Sequence, residues 1–392
     1  MNEKLIVKNF GPIREAELDL KKVTVFIGPQ GSGKSTLAKL VAICKDSEFL
    51  TDRYLDSTNL SGFMKYGIQY FLDNSEFEFK NNQYQYSLLF PYNSKFIPLN
   101  PVPKHFFTGE NPRFSDFESY RNFISDVRNV HSANFNNADF IPLKKYIASI
   151  ASSHIKYIPT DRLLISSISD SILGLLSAEV ALQKSTIDFG RDFEIARSKI
   201  PKLFIDYLNI TYKYENGRNL VFHNETESIP LSASASGYQS IIPIHLTVEN
   251  LFHKGNYHSI IEEPELNLFP TTQKQLVGYL VDRCTQNGNE LLMTTHSPYV
   301  LSAINNLIFA YKVAHEVPEM ADEVEKIIPR EQWLNPDDVV AYYVGDGMVK
   351  SIMEDEVGLI GENELDAISE DIAGERDDLF RILKSKKRET VN

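Results

Sequence analysis

Residues 23–36 read Val23-Thr24-Val25-Phe26-Ile27-Gly28-Pro29-Gln30-Gly31-Ser32-Gly33-Lys34-Ser35-Thr36. The opening run of β-branched and aromatic residues predicts a strand buried on both faces. It passes directly into a glycine, four residues, then Gly-Lys-Ser. Residues 36–45, TLAKLVAICK, have helical spacing and high helix propensity. A strand, a glycine-rich turn and a helix in that order make a cradle for phosphate. Backbone N–H groups of Gly28, Pro29-Gln30, Gly31, Ser32, Gly33 and the helix start through Thr36 hold negative charge, except at proline, which has none to give. Glycines allow the turn and the close approach. Lys34 is expected to reach the β- and γ-phosphates of a nucleotide, and the Ser35 hydroxyl to coordinate Mg²⁺.

Working outward, Leu5 to Phe10 and Ala16 to Leu20 alternate as strands around Phe10-Gly11-Pro12. Glu76–Phe79 and Gln83–Leu88 read as a hairpin around Asn81-Asn82 within a Tyr-, Phe-, Asn- and Ser-rich stretch from 46 to 154. Residues 155–159 form a further strand ending in Thr160-Asp161-Arg162, and 163–208 read as helical with breaks near Gly190 and Pro201. Strand signals return at 209–214, 219–222, 258–261, 290–294 and 338–344. Together these strand and helix signals read as an α/β fold. No heptad pattern or internal repeat is sustained.

Three further motifs carry chemistry. Ile260-Ile261-Glu262-Glu263-Pro264-Glu265 places two acids directly after an apolar strand. Beside a phosphate loop, Glu262 is expected on the metal side and Glu263 as the general base toward water. Leu291-Leu292-Met293-Thr294-Thr295-His296-Ser297-Pro298 is a strand ending at a histidine, which from there contacts a γ-phosphate oxygen. Ser236-Gly237-Tyr238-Gln239-Ser240 precedes a helical segment, Ile241 to Phe252, and a Ser-Gly at a helix N-terminus is a second anion site.

Taken together, Asn9-Phe10-Gly11-Pro12-Ile13, GPQGSGKS, SASGYQS, IIEEPELNLFP and TTHSP resemble the ABC-type ATPases of the RecF/SMC/OLD group. More narrowly they resemble the compact ATPases that accompany effectors in bacterial anti-phage systems such as PARIS, Septu and retron-linked modules. The resemblance implies a P-loop NTPase of ABC-ATPase head type, with an antiparallel N-terminal β-subdomain and a helical or insertion lobe. It implies Lys34 and Ser35 as Walker A contacts, Glu262 and Glu263 as the Walker B pair, and Leu266-Asn267 in the D-loop. It also implies His296 as the switch histidine and Ser236, Gly237 and Gln239 as signature contacts to nucleotide bound by another copy. ATP and Mg²⁺ are then the cofactors, and a second copy of the chain is a partner. The chain departs from the pattern in carrying Glu262 where Asp is commoner. Its signature lies in an Ala-Ser repeat, and no Q-loop glutamine is assigned. Arg162 reads either as a nucleotide-side or interface residue or as a structural salt bridge.

Residues 1–45 and 155–315 are expected to form the ATPase core, 46–154 an insertion with hairpin and helices, and 316–392 a β/α extension. The implied role is a switch controlling an effector, a nuclease or toxin encoded nearby; the alternative is a RecF/SMC-like repair or recombination ATPase acting on DNA. A self-contained OLD-type nuclease is disfavoured, because no Glu followed by Asp-x-Asp appears after His296 and Glu354-Asp355-Glu356 is not that set. A small-molecule kinase has no need of this motif order.

Composition agrees. Of 392 residues 42% are hydrophobic and 24% charged, which supports a core and excludes global disorder. Two cysteines, Cys44 and Cys284, exclude a disulfide framework and fit a reducing cytoplasm. No secretory signal or spanning run is visible. The net charge is −13, with 354–378 strongly acidic and 379–392 basic. That balance does not indicate DNA as a partner, though it leaves a local basic groove open.

Overall fold

In the computed structural model, Val23–Ile27 is a central strand with every residue buried. The structure describes residues 3–50, 61–89, 93–98, 145, 147, 154–168, 182–252, 254–354, 357–361 and 374–381. In chain order the described strands are β1 Glu3–Phe10, β2 Ile13–Leu20, β3 Val23–Ile27, β4 Glu76–Lys80, β5 Tyr84–Leu89, β6 Asn93–Pro98, β7 His154–Ile158, β8 Lys202–Ile205, β9 Ile210–Glu215, β10 Arg218–Phe222, β11 Ser228–Pro230, β12 Tyr257–Glu262, β13 Glu290–Thr295, β14 Val339–Gly345, β15 Met348–Ser351, β16 Met353–Glu354 and β17 Leu359–Ile360. The helices are α1 Lys34–Lys45, α2 Ser61–Lys65, α3 Arg162–Ile168, α4 Lys184–Lys199, α5 Ser236–Phe252, α6 Pro270–Cys284, α7 Pro298–Glu316 and α8 Ala321–Ile327.

One sheet of eleven strands, ordered β6-β5-β4-β1-β2-β15-β14-β3-β13-β12-β7, runs through the molecule. Its β14-β3-β13-β12-β7 half is parallel. Its β6-β5-β4-β1-β2 half is antiparallel. The parallel half therefore needs apolar cover on both faces. β3 shows how: Phe26 joins one core with α1 and the N-terminal strands, while Val23, Val25 and Ile27 join a second core with α5, α6 and α7. A separate antiparallel sheet, β11-β10-β9-β8, packs into that second core through Ile205, Ile210, Tyr212 and Val221.

The expected α/β fold with an antiparallel N-terminal β-part is present. Several local readings change. α4 runs straight through Gly190, where a Cβ would lie 3.2 Å from Ile165, so this glycine serves close helix packing and breaks nothing. Residues 202–205, read as helical, form β8, because they pair with β9. Residues 169–181 lie outside the described residues. α5 starts at Ser236, so the Ser-Gly turn is its first turn rather than a preceding loop. The boundary expected at 315 does not coincide with a sheet edge, since β14 lies directly beside β3. Most of the 46–154 stretch and most of the acidic and basic C-terminal runs fall outside the described residues.

At the start of the strands Lys45 closes α1 and is buried between Glu3 and Glu290, 2.5 Å from each. Removing one partner of such a buried pair costs about 3–5 kcal/mol. Among the described residues no helix is long and apolar enough to cross a membrane.

Candidate functional site

Register brings the motifs to one end of the sheet. Ile27 of β3 pairs with Thr295 of β13, and Thr294 pairs with Glu262 of β12. Ile158 of β7 pairs with Ile261. With strands about 4.8 Å apart, the phosphate loop, the acid pair and the histidine turn leave the sheet within about 10 Å of one another. This carboxyl end is where open α/β sheets bind ligands.

The loop's shape follows from its glycines. Gly28, Gly31 and Gly33 have φ of +149°, +76° and +109°. A Cβ on Gly28 would stand 2.1 Å from Val344 O, and one on Gly33 2.5 Å from Ile13. A Cβ on Gly31 meets nothing within 4 Å, so the loop is open on that side. The helix start has no side-chain cap and no acid in its first turn, which leaves its N–H groups for an anion. The Ser32 hydroxyl is buried and has no hydrogen-bond partner among the described residues. Gly28→Ala is expected to destabilise the fold by more than about 2 kcal/mol, because backbone of β14 blocks the new methyl. A denaturant midpoint equal to that of the parent would contradict this placement.

Lys34 is 4% exposed and donates to Gly28 O at 2.9 Å and Pro29 O at 2.8 Å. Burial lowers its ammonium to about 8, against the opposing charges of Glu263 and Glu265. A lysine held with reduced water and two acids nearby is placed to gain from phosphate charge.

Glu262 ends β12 and is 4% exposed. One oxygen accepts a long 3.4 Å bond from Thr160 N, and the other, with the Tyr157 phenol nearby, has no hydrogen bond of normal geometry among the described residues. The phenol of Tyr157, buried beside it, is pushed far above its ordinary value by burial and then by the Glu262 charge. A buried carboxylate held by only long, weak hydrogen bonds is costly unless a cation completes it. Together with the Ser35 hydroxyl it is an all-oxygen donor set of the kind Mg²⁺ takes.

Glu263 sits in the left-handed region at φ +42°, and its N–H donates to Thr294 O at 2.9 Å. That conformation costs a non-glycine residue about 1 kcal/mol or more, and it turns the side chain out of the strand. Its carboxylate lies 3.2 Å from His296 Nε2. Glu265, to which the sequence reading gave no role, holds the histidine turn: one oxygen accepts from Thr295 Oγ1 at 2.6 Å and from His296 N at 2.9 Å. The third acid of the EEPE run was its only sequence signal.

Among the described residues Arg162 has no salt-bridge partner, and it is not exposed to ligand. It is fully buried, and its guanidinium donates to Ser240 Oγ at 2.8 Å, Pro159 O at 3.1 Å, Glu262 O at 2.8 Å and Glu263 O.

Ser236 is exposed at the first turn of α5. Gly237 is seated on the turn after the acids, where a Cβ would lie 3.1 Å from Asn267 O. The Gln239 amide turns into its own chain, donating to Ser234 O at 2.8 Å and Ser232 O at 3.3 Å and accepting from Ser167 Oγ at 3.1 Å. It shapes the turn. Among the described residues no hydrogen bond joins residues 236–239 to the loop 28–35 of the same chain. The structure thus gathers Lys34, Glu262, Glu263 and His296 around one strand end and leaves Ser236 facing outward.

A sequence profile described as AAA ATPase domain matches residues 1–52 and 44–301. This chain belongs to that family. The AAA ATPase domain covers every motif above, and family membership makes nucleotide binding and ATPase chemistry the general activity of the chain. Comparison with curated protein sequences gives no match. Among solved structures, the Smc head bound to the C-winged-helix domain of ScpA is 12% identical with a TM-score of 0.46, covering 89% of this chain and 96% of that one. The SMC head domain from Thermotoga maritima is 14% identical with a TM-score of 0.39, covering 90% and 98%. The Pyrococcus furiosus Smc head with an extended coiled coil, bound to the C-terminal domain of ScpA, is 11% identical with a TM-score of 0.43, covering 90% and 96%. These are loose likenesses, and they identify no ligand or partner of this AAA ATPase domain.

Proposed function

We propose that two copies of this chain close on two molecules of ATP and Mg²⁺, and that closure and reopening switch the state of an effector protein. Each pocket comprises residues 28–36, Glu262, Glu263 and His296 of one copy. Ser236 and Gly237 of the other copy complete it, with Gln239 shaping their turn. Lys34 carries charge opposite the terminal phosphates. Glu263 accepts the proton of the attacking water, and His296, fixed by Glu265, orients that carboxylate. Glu262 and Ser35 are the residues that would hold Mg²⁺, whose charge offsets that on the phosphate oxygens.

The observation that carries this reading is the outward Ser-Gly turn: preformed, at a helix N-terminus, seated beside the acid turn, and unbonded to its own phosphate loop. Phe269 and Tyr299, 73% and 52% exposed, stand at the starts of α6 and α7, Phe269 two residues beyond the Asn267 on which Gly237 rests, and supply apolar surface for closure to cover. The effector role, in bacterial anti-phage defence and in the cytoplasm, is supported by the motif series and its order. Nuclease or toxin chemistry belongs to the partner in this reading.

Ser236→Arg tests it. The site is exposed, so folding and single-copy ATP binding are expected to change less than about threefold, while turnover falls at least tenfold, on the order of one lost anion contact plus a steric block. Turnover equal to that of the parent would contradict a pocket completed by a second copy.

A further inference from the structure

We infer that Arg162 is a positioning residue that locks the base-bearing turn and the signature helix into one frame, so that docking of Ser236 on a sister copy's nucleotide is felt at Glu263 of the same chain. This rests on the two-copy reading above and adds a coupling between its two pockets.

The geometry is specific. Arg162 opens α3, immediately after the β7 strand end. Two of its acceptors, Glu262 O and Glu263 O, are successive carbonyls of the turn that carries both acids. A third, Pro159 O, belongs to the β7 strand end beside Glu262. The fourth, Ser240 Oγ, lies one helical turn beyond Ser236 on α5, and Ser240 is fully buried. Among the described residues no carboxylate oxygen bonds this guanidinium. Its donors are spent on backbone carbonyls and one hydroxyl, and burial lowers it to about 10 against the opposing charges of Glu265, Glu263 and Glu262, so it stays protonated near neutrality.

A residue that merely filled this space would be aliphatic, since a buried charge costs free energy that packing alone does not require. A planar fork with donors in fixed directions is suited to holding two elements in register. The rest of α3 grips the same turn of α5: Ser166 Oγ donates to Gln239 O at 2.6 Å and Ser167 Oγ to Gln239 Oε1 at 3.1 Å. On the opposite side Gly237 rests on Asn267 O. Among the described residues the left-handed turn at Glu263 is thus held by Thr294 from β13, by Leu266 N donating to Glu263 O at 3.0 Å and by Arg162 from α3, and of these Arg162 also reaches the signature helix.

The test separates coupling from plain stability. Ser240→Ala cuts the link to α5 and leaves the three carbonyl bonds. Steady-state kcat is expected to fall on the order of tenfold, as a small misplacement of the base costs. In the Glu263→Gln background, the ATP concentration giving half-maximal dimer by light scattering is expected to shift less than about twofold, since Ser236 itself is intact. Ser240→Thr, which restores the hydroxyl, is expected to recover kcat to within about threefold. Arg162→Lys keeps the charge on one nitrogen and is expected to show the same split, which serves if Ser240→Ala folds poorly. Unchanged kcat in folded Ser240→Ala, or a loss that Thr does not restore, overturns the inference alone. Failure of Glu263→Gln to dimerise with ATP overturns the two-copy reading and this coupling with it.

Discussion

Glu263→Gln is expected to slow ATP turnover on the order of a thousandfold while ATP remains bound, the range spanned by removal of a positioned general base. The amide is nearly isosteric, so the left-handed turn, the Thr294 bond to its N–H and the Arg162 bond to its carbonyl all persist. What is lost is the basic oxygen 3.2 Å from His296. The neighbouring Glu262 does not replace it, because it is buried at the strand end. A variant unable to complete hydrolysis accumulates in the closed state, so ATP alone is expected to convert it to a dimer that persists. Single-turnover hydrolysis with labelled ATP measures the first effect. Hydrolysis within about tenfold of the parent would show that Glu263 is not the base.

Lys34→Ala is expected to weaken ATP binding at least a hundredfold and to remove turnover, as loss of two charge-assisted contacts, each worth about 1.5–3 kcal/mol, requires. The parent has a matching pH dependence. Lys34 is lowered to about 8 by burial, so in the free protein its charge is present below that pH and is lost as pH rises through it. Apparent ATP affinity is therefore expected to decline as pH passes through about 8. For stability the sign is opposite: above about 8 the unfolded chain holds a proton at this site that the folded chain does not, so this group makes folding more favourable as pH rises toward its ordinary value. Isothermal titration of ATP at pH 7 and pH 9 reads the binding arm, and equal affinities would contradict a charge-bearing Lys34 contact.

The parts of the fold legible in the sequence are those governed by short-range rules. Val23–Ile27 is apolar on both faces and runs into a glycine-rich turn whose conformation only glycine adopts freely, so strand, loop and helix could be placed from fourteen residues. The apolar runs ending in Glu262 and Thr295 likewise fixed two neighbouring strands. The parts that were not legible depend on distant partners. Lys202–Ile205 is too short to distinguish strand from helix until β9 pairs with it. Gly190 looks like a helix break until Ile165 is seen against it. Nothing in Val339–Gly345 announces a place beside β3 rather than in an appended unit. At the site, Lys34, Glu262, Glu263 and His296 lie on recognisable motifs. Arg162 and Glu265 act through backbone groups 100 and 31 residues away, at Glu262 O and His296 N, and a single sequence gives no spacing rule for that.

The central proposition is that one copy's Ser236 turn completes another copy's pocket. The most direct measurement is a structure of Glu263→Gln with ATP and Mg²⁺. Paired copies are expected, with each triphosphate between Lys34 of one and the Ser236–Gly237 turn of the other. Nucleotide bound to Lys34 of a single copy, with residues 236–239 of every copy remote from any triphosphate, would contradict it.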